Sequence, residues 1–178
     1  SAVQELEAQD TAIATGRKPT KSVYPHQISR NIIPQVDDFE DDGYSIEEHK
    51  MEQETRKILH MPELLISATC VRVPVLIGHS EAINIEFDAP LSPEDARKLL
   101  VSYPGITLLD DPPHSIYPTP RQSSGKDEVF VGRVRKDRSN PNGIVLWLSC
   151  DNLRKGAALN ALQIMDETVR RKRLKTIN

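Results

Sequence analysis

The chain has 178 residues and a formal net charge of −3, long enough for one domain with a full core and carrying no excess positive charge to hold nucleic acid. Aromatic residues are 4% of the total, too few for a base-stacking surface, and no apolar run approaches the roughly 20 residues of a membrane helix. The two cysteines, Cys70 and Cys150, stand apart from any His/Cys cluster, so no metal site is expected and a reducing cytoplasm is the default compartment.

Ser1 opens directly into a run of good helix formers with no initiator Met, which reads as a piece of a longer protein. A short helix is expected over 2–14, stopped by Gly16. Residues 17–34 carry Pro19, Pro25 and Pro34, so this long connection is expected to be either mobile or wrapped along another surface. Ser45-Ile46-Glu47-Glu48 is a capping-box sequence opening a helix to about His60, on which Glu54 and Lys57 share a face. By itself that pair reads as a solvated ion pair. Ser92 and Pro93 start another helix, residues 106–110 suggest a short strand, and four prolines make 112–122 loop-like. Residues 128–135 alternate, with Val129, Val131 and Arg133 on one face and Phe130, Gly132 and Val134 on the other. Asn140-Pro141-Asn142-Gly143 turns the chain into a returning strand, 144–149, whose Trp147 suits a core or an interface. Asp151 is expected to cap a last helix running to about Arg173. Gly156-Ala157-Ala158 in its first turn suits either tight packing or close approach of a ligand, and the basic run 170–173 suits a solvated helix end. Helices and hairpins without regular βαβ alternation predict an α+β fold with a mainly antiparallel or mixed sheet.

The stretch 65–87 reads as one largely buried strand that carries Arg72 and His79 among apolar neighbours. Arg72 suits a carboxylate, because its planar fork meets two oxygens at once; His79 suits proton transfer. A structural ion pair and a satisfied core histidine are the plain alternatives. The two lie seven apart, an odd spacing that puts them on opposite faces of a regular strand. Only a break at Pro74 or Gly78 would let both face one site. Cys70, in an apolar strand, is expected to be inert.

Several motifs then fall together: Glu-Thr-Arg-Lys-Ile-Leu at 54–59, Ser-Ala-Thr-Cys-Val-Arg-Val-Pro-Val at 67–75, Gly-His-Ser-Glu at 78–81, Asp-Glu-Val-Phe-Val-Gly-Arg-Val-Arg at 127–135 and Asp-Asn-Leu-Arg-Lys-Gly-Ala-Ala-Leu-Asn-Ala at 151–161. Together with 31–34 and 117–120, they resemble the aspartate-semialdehyde dehydrogenases in order and over nearly the whole chain. The resemblance implies a substrate-binding and dimerisation domain over 1–150, with a sheet covered by helices as in the C-terminal domain of glyceraldehyde-3-phosphate dehydrogenase-type enzymes. It further implies a closing helix over 151–178 that packs on a separate NADP-binding domain. It implies NADPH-dependent reduction of L-aspartyl 4-phosphate to L-aspartate 4-semialdehyde through a cysteine thioester, in a cytoplasmic homodimer or tetramer that binds neither nucleic acid nor membrane. By resemblance, His79 is the acid/base, Arg72 holds the substrate carboxylate, Glu54 faces the substrate amino group, Lys57 meets the phosphate, and Asn152 contacts NADP. The Gly-rich fingerprint and the nucleophile's motif are absent from these residues, so the chain alone is expected to be inactive. A silent dimerisation module and an N-acetyl-gamma-glutamyl-phosphate reductase are the alternatives, the second disfavoured by the motifs at 67–81 and 151–161.

Overall fold

A computed structural model describes residues 1–171; Lys172 and Arg173 of the basic run, and with them the expected end of the last helix, lie outside the described residues. The chain divides into two compact units, 1–76 and 77–178.

In the first unit, α1 (Ala2–Ala14) ends where Gly16 takes φ +69°. The connection that follows is laid along α1. Two buried polar side chains of the helix catch it. The Glu5 carboxylate accepts from Ser22 N at 2.9 Å, Ser22 Oγ at 2.7 Å and the N–H of Val23. Gln9 Oε1 accepts from Ile28 N at 2.9 Å and Ser29 N at 3.1 Å, while its Nε2 donates to Thr20 O at 2.9 Å. Beside them Leu6, Ile28 and Ile33 form a small core against Tyr24. Of the two expectations for 17–34, wrapping is the one observed. Helix α2 (Ile46–Leu59) starts at the expected box: Ser45 Oγ accepts from Glu48 N, and Glu48 Oε2 accepts from Ser45 N at 2.8 Å. It stops at His60, which is left-handed.

The stretch after α2 departs from the sequence expectation. It is not one buried strand. Residues 65–76 are irregular apart from a single bridge between Arg72 and Ile33, and Leu65, Val71, Val73 and Leu76 are exposed. Pro74 sits in a tight turn closed by Val75 N donating to Val73 O at 2.8 Å. A proline cannot donate to a ladder, so regular pairing ends there. Only the second half, β1 (His79–Glu86), is a strand.

The second unit continues from β1 with α3 (Pro93–Ser102), capped by Ser92, and β2 (Ile106–Leu108). After a 3-10 turn at Pro112–His114 and the short α4 (Pro120–Ser123), the hairpin β3 (Val129–Lys136) and β4 (Gly143–Cys150) completes a four-stranded mixed sheet. Its order is β1-β4-β3-β2, with only β2 and β3 parallel. Val131, Val134, Ile144, Leu146 and Ala96 of α3 make the core. Val131 and Val134 are three apart, which strict alternation forbids. A bulge between Gly132 and Arg135, with Arg133 at φ +54°, restores Val134 to the core face. Asp110 holds the bulge: its buried carboxylate accepts from Arg97 Nε at 2.7 Å and from Val134 N at 3.3 Å.

The last helix also begins later than expected. Lys155, Gly156 and Ala157 are non-helical, and α5 (Leu159–Arg171) starts only after them. Asp151 therefore caps no helix. It instead accepts from Gly125 N at 2.7 Å and Leu153 N at 2.9 Å. No helix among the described residues is long and apolar enough to cross a membrane.

Candidate active site

The five residues singled out fall into two groups. Glu54, Lys57 and Arg72 belong to the first unit, His79 and Asn152 to the second.

Arg72 is fixed by its backbone, with its N–H donating to Ile33 O at 2.8 Å and its carbonyl accepting from Ile33 N at 3.0 Å. Its guanidinium lies 5.5 Å from the centre of the Tyr24 ring, a cation–π contact that orients the fork. Among the described residues Arg72 forms no ion pair, so the plain structural-pair alternative is not what is observed. A guanidinium without a carboxylate remains able to take one from a ligand.

On α2, Glu54 and Lys57 are exposed, and no ion pair joins them. A pair of the same spacing does form one heptad earlier. Lys50 Nζ donates to Glu47 Oε2 at 2.8 Å, and that hydrogen bond leads the contacts that raise the Lys50 pKa. Glu47, Lys50, Glu54 and Lys57 follow one another at spacings of three, four and three residues, so all four line one stripe of the helix. Sequence reasoning passed over Glu47 and Lys50, although the same i,i+3 spacing was there to find them. Between these side chains and the body of the unit, Glu48 is buried. Its carboxylate accepts from Ser45 N and from Cys70 N at 2.7 Å, and those two bonds outweigh burial and keep its pKa low.

His79 is exposed at the first position of β1, which removes the core-histidine alternative. The residue before it, Gly78, has φ +109°, and a Cβ there would meet Cys150 O at 3.1 Å. Both facts call for glycine. Asn152 Oδ1 accepts from Gly78 N at 3.0 Å. Its amide nitrogen is thereby left as the group able to donate to a ligand. At Gly156, φ is +87° and nothing lies within 4 Å of an added Cβ, so the glycine serves a turn rather than tight packing. The nearby Cys150 thiol is pushed up by burial, with Glu81 adding to the shift, which argues against a thiolate there. Cys70 N is engaged by Glu48, and its sulfur lies 3.4 Å from Met51 Sδ.

The mixed four-stranded sheet with its covering helices is of the α+β class. The chain belongs to the semialdehyde dehydrogenase dimerisation-domain family, whose family model matches residues 1–155. Its relatives include the aspartate-semialdehyde dehydrogenase of Aquifex aeolicus, 47% identical over 170 residues, with 95% of this chain and 50% of the relative covered. The aspartate-semialdehyde dehydrogenase of Bacillus subtilis is 47% identical over 173 residues, covering 93% and 50%. Among solved structures, aspartate semialdehyde dehydrogenase II of Vibrio cholerae complexed with ASA superposes with a TM-score of 0.90 at 44% identity, covering 95% of this chain and 50% of that one. A probable aspartate-semialdehyde dehydrogenase from Pseudomonas aeruginosa gives 0.87 at 29% identity, with the same coverage. The chain spans about half the length of the curated relatives it matches.

Proposed function

We propose that this chain is the substrate-binding and dimerisation half of an NADP-dependent aspartate-semialdehyde dehydrogenase. The enzyme would work as a cytoplasmic homodimer in the synthesis of lysine, methionine and threonine, reducing L-aspartyl 4-phosphate to L-aspartate 4-semialdehyde and releasing phosphate. The observation that carries the reading is that Arg72 and His79 are both left uncommitted, in a chain 47% identical to enzymes of that name.

The substrate presents a carboxylate, an ammonium group and a phosphate, and the chain offers a counterpart to each. Arg72 grips the carboxylate with its fork. Glu54 faces the ammonium group and Lys57 the phosphate, both from the α2 stripe. NADPH, when bound, supplies the hydride. Asn152 would hold it through its amide N–H groups, since Gly78 engages only the amide oxygen. His79 moves the proton of the reacting thiol, a task an imidazole performs near neutral pH; that thiol belongs to the other half of the enzyme.

The test joins the chain to the nucleotide-binding half of a relative, on one polypeptide or in trans, and follows phosphate-dependent NADP reduction with aspartate semialdehyde. Turnover is expected, and His79→Ala should lower it about 100-fold or more. A complete but inactive enzyme would defeat the proposal. Neutralising Glu54 and Lys57 should raise KM about tenfold, as loss of one charged contact does. If neutralising Glu47 and Lys50 raises KM instead, the substrate sits one heptad nearer the start of α2.

A further inference from the structure

A chain of buried hydroxyl groups ends on the backbone of His79. Ser149 on β4 and Ser123 on α4 are both fully buried. Ser149 Oγ lies 3.2 Å from His79 O, 3.0 Å from Ser123 Oγ and 3.2 Å from Ser80 Oγ. Ser123 Oγ also lies 3.3 Å from Pro120 O, the longest of the four contacts. A hydroxyl has one proton and two lone pairs, and a carbonyl can only accept. The assignment that keeps the three shorter contacts has Ser149 donating to His79 O and accepting from Ser80 and Ser123. The residue before His79, Gly78, is held through its N–H by Asn152 Oδ1 at 3.0 Å. Thus the carbonyl of His79 is tied by Ser149 and the N–H of the residue before it by Asn152, while the His79 imidazole is exposed and makes no hydrogen bond among the described residues. An exposed ring without a partner of its own takes its direction from the backbone that carries it. Buried hydroxyls at Ser123 and Ser149 are not needed for stability, since apolar side chains would fill the space without polar groups to satisfy.

We propose that Ser149 is a positioning residue for His79: its buried hydroxyl fixes the carbonyl of His79 and so the direction in which the imidazole is presented. The proposal rests on His79 being the acid/base. The Ser123 hydroxyl is equally buried and meets Ser149 but not His79, so it is the internal comparison.

The experiment is a mutant cycle in the complete enzyme, with Ser149→Ala, Ser149→Cys, Ser123→Ala, His79→Asn and the Ser149→Ala/His79→Asn pair. Ser149→Ala should lower kcat about tenfold or more with KM within about twofold, the signature of a misaimed reacting group. Ser149→Cys keeps the volume but donates weakly, so it should show the same kcat loss with Tm near that of the parent. Ser123→Ala should leave kcat within about twofold. In the His79→Asn background, Ser149→Ala should cost nothing further, because the group it aims is gone. Equal kcat losses for the two serine variants, or a full additional loss in the double variant, would overturn the positioning role while leaving His79 as acid/base. A His79→Asn enzyme as fast as the parent would overturn both.

Discussion

Glu5 is a buried carboxylate that stays charged. Burial pushes its pKa up, but the Ser22 hydroxyl and the backbone N–H groups of Val23, Ser22 and Tyr24 together prevail and hold it below the ordinary glutamate value. A carboxyl depressed in the fold contributes stability that is complete above its unfolded pKa of about 4.3 and disappears as pH falls through the lower folded value. Glu5→Gln keeps the shape, but it brings an amide donor against existing donors. It should cost about 2–3 kcal/mol near pH 7, read from urea midpoints. The gap to the parent should close as the pH is lowered below about 4. A gap independent of pH would mean that shape rather than charge holds the 17–34 segment.

At the scale of elements, the β3 bulge depends on one missing side chain. A Cβ on Gly132 would lie 2.0 Å from Leu109 O and 2.7 Å from Pro118 Cδ, so backbone would have to move. Leu109 N meanwhile donates to Val131 O at 2.8 Å, which ties the same two segments together. Gly132→Ala should therefore destabilise by about 3 kcal/mol through overpacking. Gly16→Ala, with φ +69° but open space around it, should cost only about 1 kcal/mol of backbone strain. Thermal unfolding of the two variants side by side separates sterics from strain, and a reversed order would contradict the packing described at Gly132.

For the molecule as a whole, much apolar surface faces outward. Leu65 is 94% exposed and Ile58 72%, and α5 has no buried residue although Leu162, Met165 and Val169 share one side of it. Such surfaces mark places covered by another body, in keeping with a dimerisation-domain family. Light scattering should give about twice the 20.0 kDa chain mass at micromolar concentration. A strict monomer over the full concentration range would count against a dimer.

Much of this architecture was legible because its signals are local. The Ser45 box, Ser92 with Pro93, Gly16, and the 140–143 turn act over three or four residues, and local hydrogen bonding decides them wherever the segment ends up. Charge, aromatic content and cysteine spacing were equally legible, being properties of composition. The resemblance carried His79, Arg72 and Asn152 as candidates from the motifs alone. What only the tertiary structure decided involves partners distant in sequence. The stretch 65–87 reads as one strand, but Pro74 and the left-handed Gly78 interrupt it, and a ladder exists only where β4 is beside it. Alternation in β3 hides a bulge because the bulge is imposed by Asp110, on another segment. The late start of α5 follows from Gly156, a residue whose effect on a helix depends on whether neighbours demand a turn. The Ser149 hydroxyl beneath His79 is 70 residues away in the chain, a contact no local pattern announces.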